Sequence, residues 1–444
     1  MFVLARRWLD RRDAIFAAVL YAANPYHLVI VYWRSAFAEL LASCLVPLLL
    51  LCVLKAVDEG HRAVFVRSIM PLALVLAAAW LTNAPAAVMI HYSLALLLVF
   101  FAWQRRSSRL LFLGAVAVVF GALLSAFYLL PAIYEQRWIN IAQAVSEGSR
   151  PADNFLFIHT ADADHDKFNR IITWVAVLEM TVIFASAWMS RRWREIQREL
   201  WKALLSWAGA CSVLMLPVSS LLWKVLPKMQ FMQFPWRWLL CLSTIFSLFA
   251  ASAFLAAGTR RWWWRSAVWA ISVLVVVMAW HRIQPPWWDN AGDLREMQDN
   301  MEDRVGYEGT DEYTPLGVNA GALNNDKDKN ARNVTVAGSA HAAIRVSRWD
   351  AESKMFTAEM SASDQLALRL FRYPAWQAEV NGRVVQTAST KTGLMLVPVE
   401  AGMNRVQIIF VRTWDRAAGG WISLLALMLS FVWNLRARRR SAQI

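Results

Sequence analysis

Two charged side chains, Arg34 and Glu39, lie at the edge of a long apolar run in the stretch YWRSAFAELLASCLVPLLL. Charge at membrane depth is costly, so such groups usually face a polar cavity or pair with each other. The alternative is an arginine that extends to the membrane surface and a glutamate that caps the helix. We favour the first interpretation, which makes Arg34 and Glu39 substrate-binding candidates and Glu39 a candidate catalytic residue.

A third charged residue, Arg237, follows in the stretch FMQFPWRW, where the chain returns to the same side at the start of another apolar run. Pro235 suits a first helical turn. The planar fork of donors on an arginine can hold a phosphate group. An anchoring arginine within a belt of interfacial aromatic residues explains the stretch equally well, so both interpretations of Arg237 stay open.

Three further polar residues lie within apolar runs and are candidates for a site. Glu179 sits near the middle of ITWVAVLEMTVIFASAW, whose own residues offer it no positive charge. We expect Glu179 to be protonated or paired with His91 of another helix, and we favour an interhelical hydrogen bond over a proton relay. Asn83, in the short TNAP connection, joins His91 as a substrate-binding candidate, and Glu179 is a second catalytic candidate.

An acidic cluster, HTADADHDKF, contains Asp162, Asp164 and Asp166. Carboxylates packed this closely can bind a hard divalent cation through their oxygens. A solvated acidic loop is the more common explanation, so a divalent cation is the one cofactor that the sequence leaves open. The sequence shows no phosphate-binding glycine-rich loop, zinc spacing or catalytic triad.

The composition is that of a membrane protein. Of the 444 residues, 58% are hydrophobic, 25 are tryptophan, and the mean hydropathy is +0.36. The net charge of +14 is unevenly distributed, because residues 282–418 hold 16 basic and 18 acidic residues. The positive charge therefore follows the apolar part of the chain and the bilayer, and we expect no nucleic-acid partner.

Ten apolar segments are candidates for membrane helices of about 20 residues each. They are 13–31, 37–56, 69–82, 85–103, 110–130, 171–189, 201–217, 236–257, 266–281 and 419–435, of which the third is short for a full crossing. Alternate loops carry the arginine-rich segments RRWLDRR, QRRSSR, RRWREIQR, TRRWWWR and RARRR. The excess of basic residues on these loops predicts that both termini are cytoplasmic.

The segment between the last two apolar runs is predicted to form a domain on the outer side of the membrane. About seven stretches with alternating polarity predict strands, and Asn381-Gly382 between two of them predicts a tight hairpin. We therefore expect a polytopic α-helical membrane protein with a C-terminal extracytoplasmic β-sandwich. Its parts would be a helical domain (1–281), a linker with a short helix (282–330), the sandwich (331–418), and a final helix with a basic tail (419–444).

Several of these stretches together resemble one bacterial family. YAANPYHLVIVYWRSAFAELLASCLVPLLLL, QFPWRWL, GTDEYTPLG, FRYPAWQAEVNGR and GLMLVPVEAGMNRVQIIF, in this order, are similar to the pyruvoyl-tetrahydropterin synthase-related membrane proteins. These resemble YfhO-type proteins and the glycosyltransferase-C (GT-C) superfamily. The resemblance implies a transferase in the bacterial inner membrane that uses a polyprenyl-phosphate-linked sugar and an envelope glycan acceptor, with a GT-C-like helical fold.

The resemblance also gives expectations for the site. Arg34 and Arg237 would hold the lipid phosphate, and Glu39 would order the wall of the site. Relatives carry further helices and an acidic catalytic residue ahead of the point where this chain begins, so we expect the chain to lack them. Two alternatives stay open: a non-catalytic, membrane-anchored glycan-binding or envelope-assembly protein, and a lipid or solute transporter using Glu179 and His91.

Overall fold

The computed structural model describes residues 1–59, 68–190, 197–256, 311–318 and 332–441, with single positions between 266 and 299. Most of the apolar segment predicted at 266–281 and most of the linker at 282–330 lie outside the described residues. The chain divides into a helical unit (residues 1–129, 145–285 and 420–444) and a β-rich unit (130–144 and 286–419).

The α-helices of the described residues are α1 (Phe2–Ala5), α2 (Arg11–Ala22), α3 (Pro25–Tyr32), α4 (Phe37–Ser43), α5 (Leu45–Glu59), α6 (Met70–Thr82), α7 (Ala84–Arg105), α8 (Arg109–Leu124), α9 (Ala126–Glu135), α10 (Ala163–Met189), α11 (Arg198–Leu214), α12 (Ser220–Val225), α13 (Leu239–Ala256) and α14 (Trp414–Ser441). Helix α13 lies at the centre of the helical unit, where it packs against α10 and α2. The apolar window in Pro235–Ala253 is buried throughout.

Six helical stretches among the described residues are long and apolar enough to cross a membrane. They are Arg11–Tyr32, Phe37–Glu59, Ala84–Arg105, Ala163–Met189, Pro235–Ala253 and Trp414–Arg436. Two bent pairs of helices raise the number to eight if each pair is one span. The predicted count of ten is not confirmed, in part because α6 has 13 residues and falls short of the length of a span.

The two bends explain why apolar composition alone overstated the number of straight spans. Helices α8 and α9 meet at 81°. Helix α11 meets the short helical stretch Pro217–Val225, which ends with α12, at 88°. Pro217 causes the second break, because a proline pushes the residue before it into extended backbone, as Leu216 is. The apolar residues beyond each bend leave the axis of the preceding helix.

The first span is interrupted between α2 and α3. The Asn24 side chain accepts a hydrogen bond from the Tyr26 N–H at 2.9 Å, and Pro25 occupies the first turn of α3. Asparagine caps a helix by supplying an acceptor for an N–H that has no partner inside the helix, and proline fits this position because it has no N–H. This arrangement restarts the helix with Tyr26 fully buried.

The described residues of the β-rich unit form two antiparallel sheets. Their strands are β1 (Val334–Val336), β2 (Ala342–Trp349), β3 (Ser353–Met360), β4 (Asp364–Phe371), β5 (Trp376–Val380), β6 (Arg383–Val385), β7 (Ala388–Ser389), β8 (Leu394–Val399) and β9 (Gly402–Phe410). The strand orders are β1-β4-β8-β7 and β2-β3-β9-β5-β6. Buried residues of both sheets, such as Leu366 and Phe356, form one hydrophobic cluster.

The predicted hairpin at Asn381-Gly382 joins β5 to β6, with Val380 opposite Arg383. Asn381 has φ +52° and Gly382 has φ +77°, as a two-residue turn with two left-handed positions requires. The Asn381 side chain also accepts a hydrogen bond from the Arg405 N–H at 2.8 Å, which ties the turn to β9.

Residues 130–144 belong to the β-rich unit, which the sequence did not predict. The Asn140 N–H donates to the Thr314 carbonyl at 2.8 Å, and Ile139 forms a bridge with Pro315. Glu135 accepts two hydrogen bonds from Arg416 at 2.7 and 2.8 Å. Residues 314–316 of the GTDEYTPLG stretch thus pair with the loop that follows α9.

We expect Gly382→Ala to weaken the β5–β6 hairpin by about 1 kcal/mol, because only the left-handed backbone opposes the added methyl group. No atom lies within 4 Å of the new Cβ position. Amide hydrogen exchange in β6 should speed up about fivefold. Arg383→Ala, at an exposed position beside the turn, serves as the control. Unchanged exchange in Gly382→Ala would contradict the strain argument.

Candidate functional site

The carboxylate of Glu39 is the centre of a buried charged cluster. Arg34 Nη1 donates to Glu39 Oε2 at 2.8 Å, and Arg237 Nε lies 3.4 Å from the same oxygen. The Tyr26 hydroxyl donates to Glu39 Oε1. The side chains of Arg34, Glu39 and Arg237 are 14%, 1% and 9% exposed. Arg34, Glu39 and Arg237 were all predicted as residues of one site, and the structure brings them together and adds Tyr26.

Unusual backbone positions help to place the two arginines. Arg34 lies in the connection between α3 and α4, directly before Ser35, whose φ is +48°. Arg237 lies in a short 3₁₀ helix, Pro235–Trp238, and Phe234, three residues before Arg237, has extended backbone. Gln233, just before it, has φ +64°. Left-handed backbone is disfavoured for residues other than glycine, so surrounding contacts must stabilise these two turns.

Aromatic rings form one wall of the cluster. The rings of Phe234 and Trp236 stack with centroids 4.9 Å apart and planes 11° from parallel. The Arg34 guanidinium lies 4.7 Å from the Trp236 ring, and that of Arg237 lies 4.7 Å from the Phe234 ring. These cation–π contacts stabilise the guanidinium groups where water is largely excluded. The aromatic residues of FMQFPWRW therefore contact the guanidinium groups of the cluster directly, and they also suit a membrane interface.

Among the residues that the structure describes, the cluster contains two guanidinium groups and one carboxylate, and thus one more positive charge than negative charge. Two guanidinium groups share a single carboxylate, and Arg237 finds its other close acceptor in the Met232 carbonyl, 2.7 Å from Nη1. A buried charge without a full counter-charge is costly. An anion placed beside the two arginines would remove this imbalance. Guanidinium groups bind phosphate and carboxylate oxygens through paired hydrogen bonds, so these anions suit the site.

Glu39 is poorly placed to accept a proton from a substrate. Its two oxygens already accept from Tyr26 and Arg34, and Arg237 lies close by. Donors and positive charge on a carboxylate stabilise its charged form and lower its basicity. The geometry thus favours Glu39 as the group that positions the arginines, over its other predicted role as a catalytic residue.

Glu179 is fully buried in α10, and it lies next to the cluster rather than within it. Its carboxyl group faces the Asn24 side chain and the Tyr26 backbone N–H, across the break between α2 and α3. No hydrogen bond of normal geometry forms across this contact, so the interhelical hydrogen bond of Glu179 remains a prediction. The predicted pairing of Glu179 with His91 is wrong, since no contact joins them in the described part of the chain. A carboxyl group sealed from solvent is also badly placed for catalysis.

His91 and Asn83 lie outside the cluster and have structural partners. The Nδ1 atom of His91 is 2.7 Å from the Ala87 carbonyl one turn earlier, and its ring packs on Trp80 with centroids 5.5 Å apart. The Asn83 side chain accepts from the Ala86 N–H at 2.9 Å and caps α7. Their predicted role in substrate binding gains no support from these contacts, because each polar group serves its own helix.

The acidic stretch at the start of α10 is arranged as a helix cap. Asp162 accepts from the backbone N–H groups of Asp164 and His165 at 2.9 and 3.2 Å. Asp166 lies 3.0 Å from His159 Nδ1. Among the residues that the structure describes, no group of three or more histidine, cysteine or acidic side chains converges as a metal site requires. Asp162 therefore caps helix α10, and its observed contacts are those of a helix cap rather than of a cation site.

Taken together, the apolar helices, the buried cluster and the separate β-rich unit define a membrane protein with several helices. A family model described as "6-pyruvoyl-tetrahydropterin synthase related domain; membrane protein" matches residues 1–284. The chain belongs to this family of membrane proteins. Tyr26, Arg34, Glu39 and Arg237 all fall within the matched residues. No curated protein and no solved structure shows a significant match to the chain.

We expect Glu39→Gln to destabilise the protein by about 3–5 kcal/mol, because it leaves two buried guanidinium groups without a counter-charge. Arg34→Gln should cost less, because Glu39 and Arg237 remain as a one-to-one pair. Thermal and denaturant unfolding in detergent would measure both variants.

The control for these variants is Glu199→Gln. Glu199 pairs with Arg105 at 2.6 Å, but both side chains are more than 40% exposed. Exposed pairs contribute about 0–1 kcal/mol, so this variant should stay close to the parent protein. Equal losses in Glu39→Gln and Arg34→Gln would contradict the argument from charge imbalance.

Proposed function

We propose that this chain is a GT-C-type, glycosyltransferase-like membrane protein that binds a polyprenyl-phosphate-linked sugar at the outer face of the bacterial inner membrane. The observation that carries the proposal is the excess positive charge of the Arg34–Glu39–Arg237 cluster. Arg34 and Arg237 bind the donor phosphate, while Glu39 and Tyr26 hold the two arginines in place.

The physical chemistry of a lipid-linked sugar supports this assignment. Its hydrocarbon tail keeps it in the bilayer, and its phosphate lies at the interface between lipid and water. Fixed cations at that depth bind the phosphate in the ground state and also stabilise the negative charge that develops on the leaving group during transfer. Guanidinium groups keep their charge under these conditions, which suits them to both tasks.

The β-rich unit has a place in this proposal. Its two sheets share one core, which supports the predicted sandwich, and we place it on the outer side together with residues 130–144. There it would contact the envelope glycan that accepts the sugar. The cluster and the β-rich unit would then serve donor and acceptor respectively.

A second function is favoured by a separate observation. Glu39 is engaged by Tyr26 and Arg34, and Glu179 is sealed inside the helical unit. Neither carboxylate is placed to activate an acceptor hydroxyl, as sugar transfer requires. The alternative is therefore a non-catalytic protein, anchored in the membrane, that binds glycan or assists envelope assembly. Transfer of sugar from a polyprenyl-phosphate donor by the reconstituted chain would exclude this alternative.

Binding of farnesyl phosphate to the purified full chain in detergent tests the proposed phosphate site. We expect Arg34→Gln and Arg237→Gln each to weaken binding at least tenfold, because each removes charge-assisted hydrogen bonds of about 1.5–3 kcal/mol. Equilibrium binding of radiolabelled ligand would measure the change.

The matched control for the binding test is Arg170→Gln. Arg170 has a side chain that is 62% exposed, and it lies 3.7 Å from Asp166 rather than in the cluster. This variant should bind farnesyl phosphate as the parent protein does. The proposal fails if the parent protein does not bind, or if all three variants lose affinity to the same extent.

The proposed topology is tested by cysteine labelling in intact cells with a membrane-impermeant maleimide. Lys391→Cys, at an exposed position of the β-rich unit, should react without permeabilisation. Ser108→Cys, at an exposed position between α7 and α8, should react only after the inner membrane is permeabilised. The parent chain controls for its own four cysteines. The reverse pattern would overturn the assigned orientation.

A further inference from the structure

An apolar cavity of about 400 Å³ lies within the helical unit. Helix α7, helices α11 and α12, and the segment 229–238 contribute to its lining, which includes Leu96, Val213, Leu214, Leu222, Met229 and Trp238. The Ser93 hydroxyl, also at its wall, accepts a hydrogen bond from Trp207 Nε1 at 3.0 Å. A lining of this kind suits hydrocarbon and offers little to a polar ligand.

The cavity and the charged cluster share one segment of the chain. Trp238 lines the cavity, and its neighbour Arg237 reaches Glu39. Met229 also lines the cavity, and the Met232 carbonyl at the other end of the same 3₁₀ helix accepts from Arg237 Nη1 at 2.7 Å. A ligand that occupies the cavity therefore contacts the segment that positions Arg237.

Exposed apolar side chains surround the cavity on one side. Val213 and Leu222 belong to its lining and are 46% and 44% exposed. Leu221 and Val225, on the same short helix α12, are 68% and 69% exposed. In a membrane protein, apolar groups exposed in this way contact lipid hydrocarbon. The bend between α11 and α12 thus gives the cavity a side that a lipid tail can enter from the bilayer.

We propose that this cavity binds the isoprenoid units next to the phosphate of the lipid held by Arg34 and Arg237. This inference rests on the proposed function. At about 400 Å³, the cavity lies near the lower end of the roughly 300–1,000 Å³ range of ligand pockets. It therefore holds only a short part of a polyprenyl chain, and the rest of the chain lies in the bilayer. A short prenyl phosphate carries all the hydrocarbon that the site recognises.

Filling the cavity from Gly209 tests this inference. Gly209 belongs to the lining, and no atom lies within 4 Å of the position of an added Cβ. We expect Gly209→Leu to weaken farnesyl phosphate binding to the full chain at least tenfold, because the new side chain takes the space of the tail. Ala210→Leu, also in the lining, is a second variant should the first unfold. Thermal unfolding reports whether each variant is folded.

Val119→Leu is the control, because it introduces the same leucine side chain outside the cavity. Val119 is 59% exposed on α8 and does not line the cavity. This variant should bind farnesyl phosphate as the parent protein does. A folded Gly209→Leu or Ala210→Leu variant with unchanged affinity would overturn the inference. Phosphatidic acid that binds as tightly as farnesyl phosphate and competes with it would also overturn it, because the cavity would then not select a prenyl tail.

The dependence of affinity on the length of the prenyl chain is a second test of the cavity. A prenyl phosphate longer than farnesyl phosphate should bind with affinity within about threefold of it, since the added units lie outside the cavity. A steep rise in affinity with each added unit would overturn the inference. If the parent protein binds no prenyl phosphate at all, the proposed function itself is rejected. If it binds prenyl phosphate but the cavity does not matter for affinity, only the further inference is rejected.

Discussion

The helical unit depends on the contact of two buried guanidinium groups with one buried carboxylate. Glu39 is 1% exposed, and the idealised cost of moving such a group from water into a low-dielectric interior is large. Arg34, Arg237 and the Tyr26 hydroxyl offset that cost. Tyr26, Arg34 and Glu39 lie close together in sequence, whereas Arg237 comes from the segment before α13, so the same interaction holds two distant parts of the chain together.

The local structure around the cluster is consistent with this constraint. Tyr26 reaches Glu39 only because Asn24 and Pro25 interrupt the first span and restart the helix. Ser35 and Gln233 adopt left-handed backbone beside the two arginine-bearing turns. Such positions persist where surrounding contacts determine them, and they often occur at functional sites. The strain and the buried charge thus lie in the same small region.

Much of the fold could be predicted from local patterns, because apolar runs, alternation and turn residues act over a few positions. The hairpin at Asn381-Gly382 and the pairing of Arg34 with Glu39, five residues apart, are of this kind. The pairing of Arg237 with Glu39 joins residues far apart in sequence, so no local pattern encodes it. For Glu179 the apolar pattern leaves open protonation or a pairing with a group such as His91, and the polar group that lies nearby is Asn24 at the helix break. No proline stands at the bend at Ser125, whereas Pro217 marks the other bend in the sequence itself.

The second arginine distinguishes a binding site from a purely structural ion pair. A one-to-one pair of Arg34 and Glu39 would balance the charge, and apolar residues of similar volume are often as stable as a buried pair. The addition of Arg237 removes that balance and places a second guanidinium beside the stacked rings of Phe234 and Trp236. An anion in contact with both arginines would restore neutrality. The adjacent apolar cavity adds a place for hydrocarbon, so the segment 229–238 matches an amphipathic ligand better than a free anion.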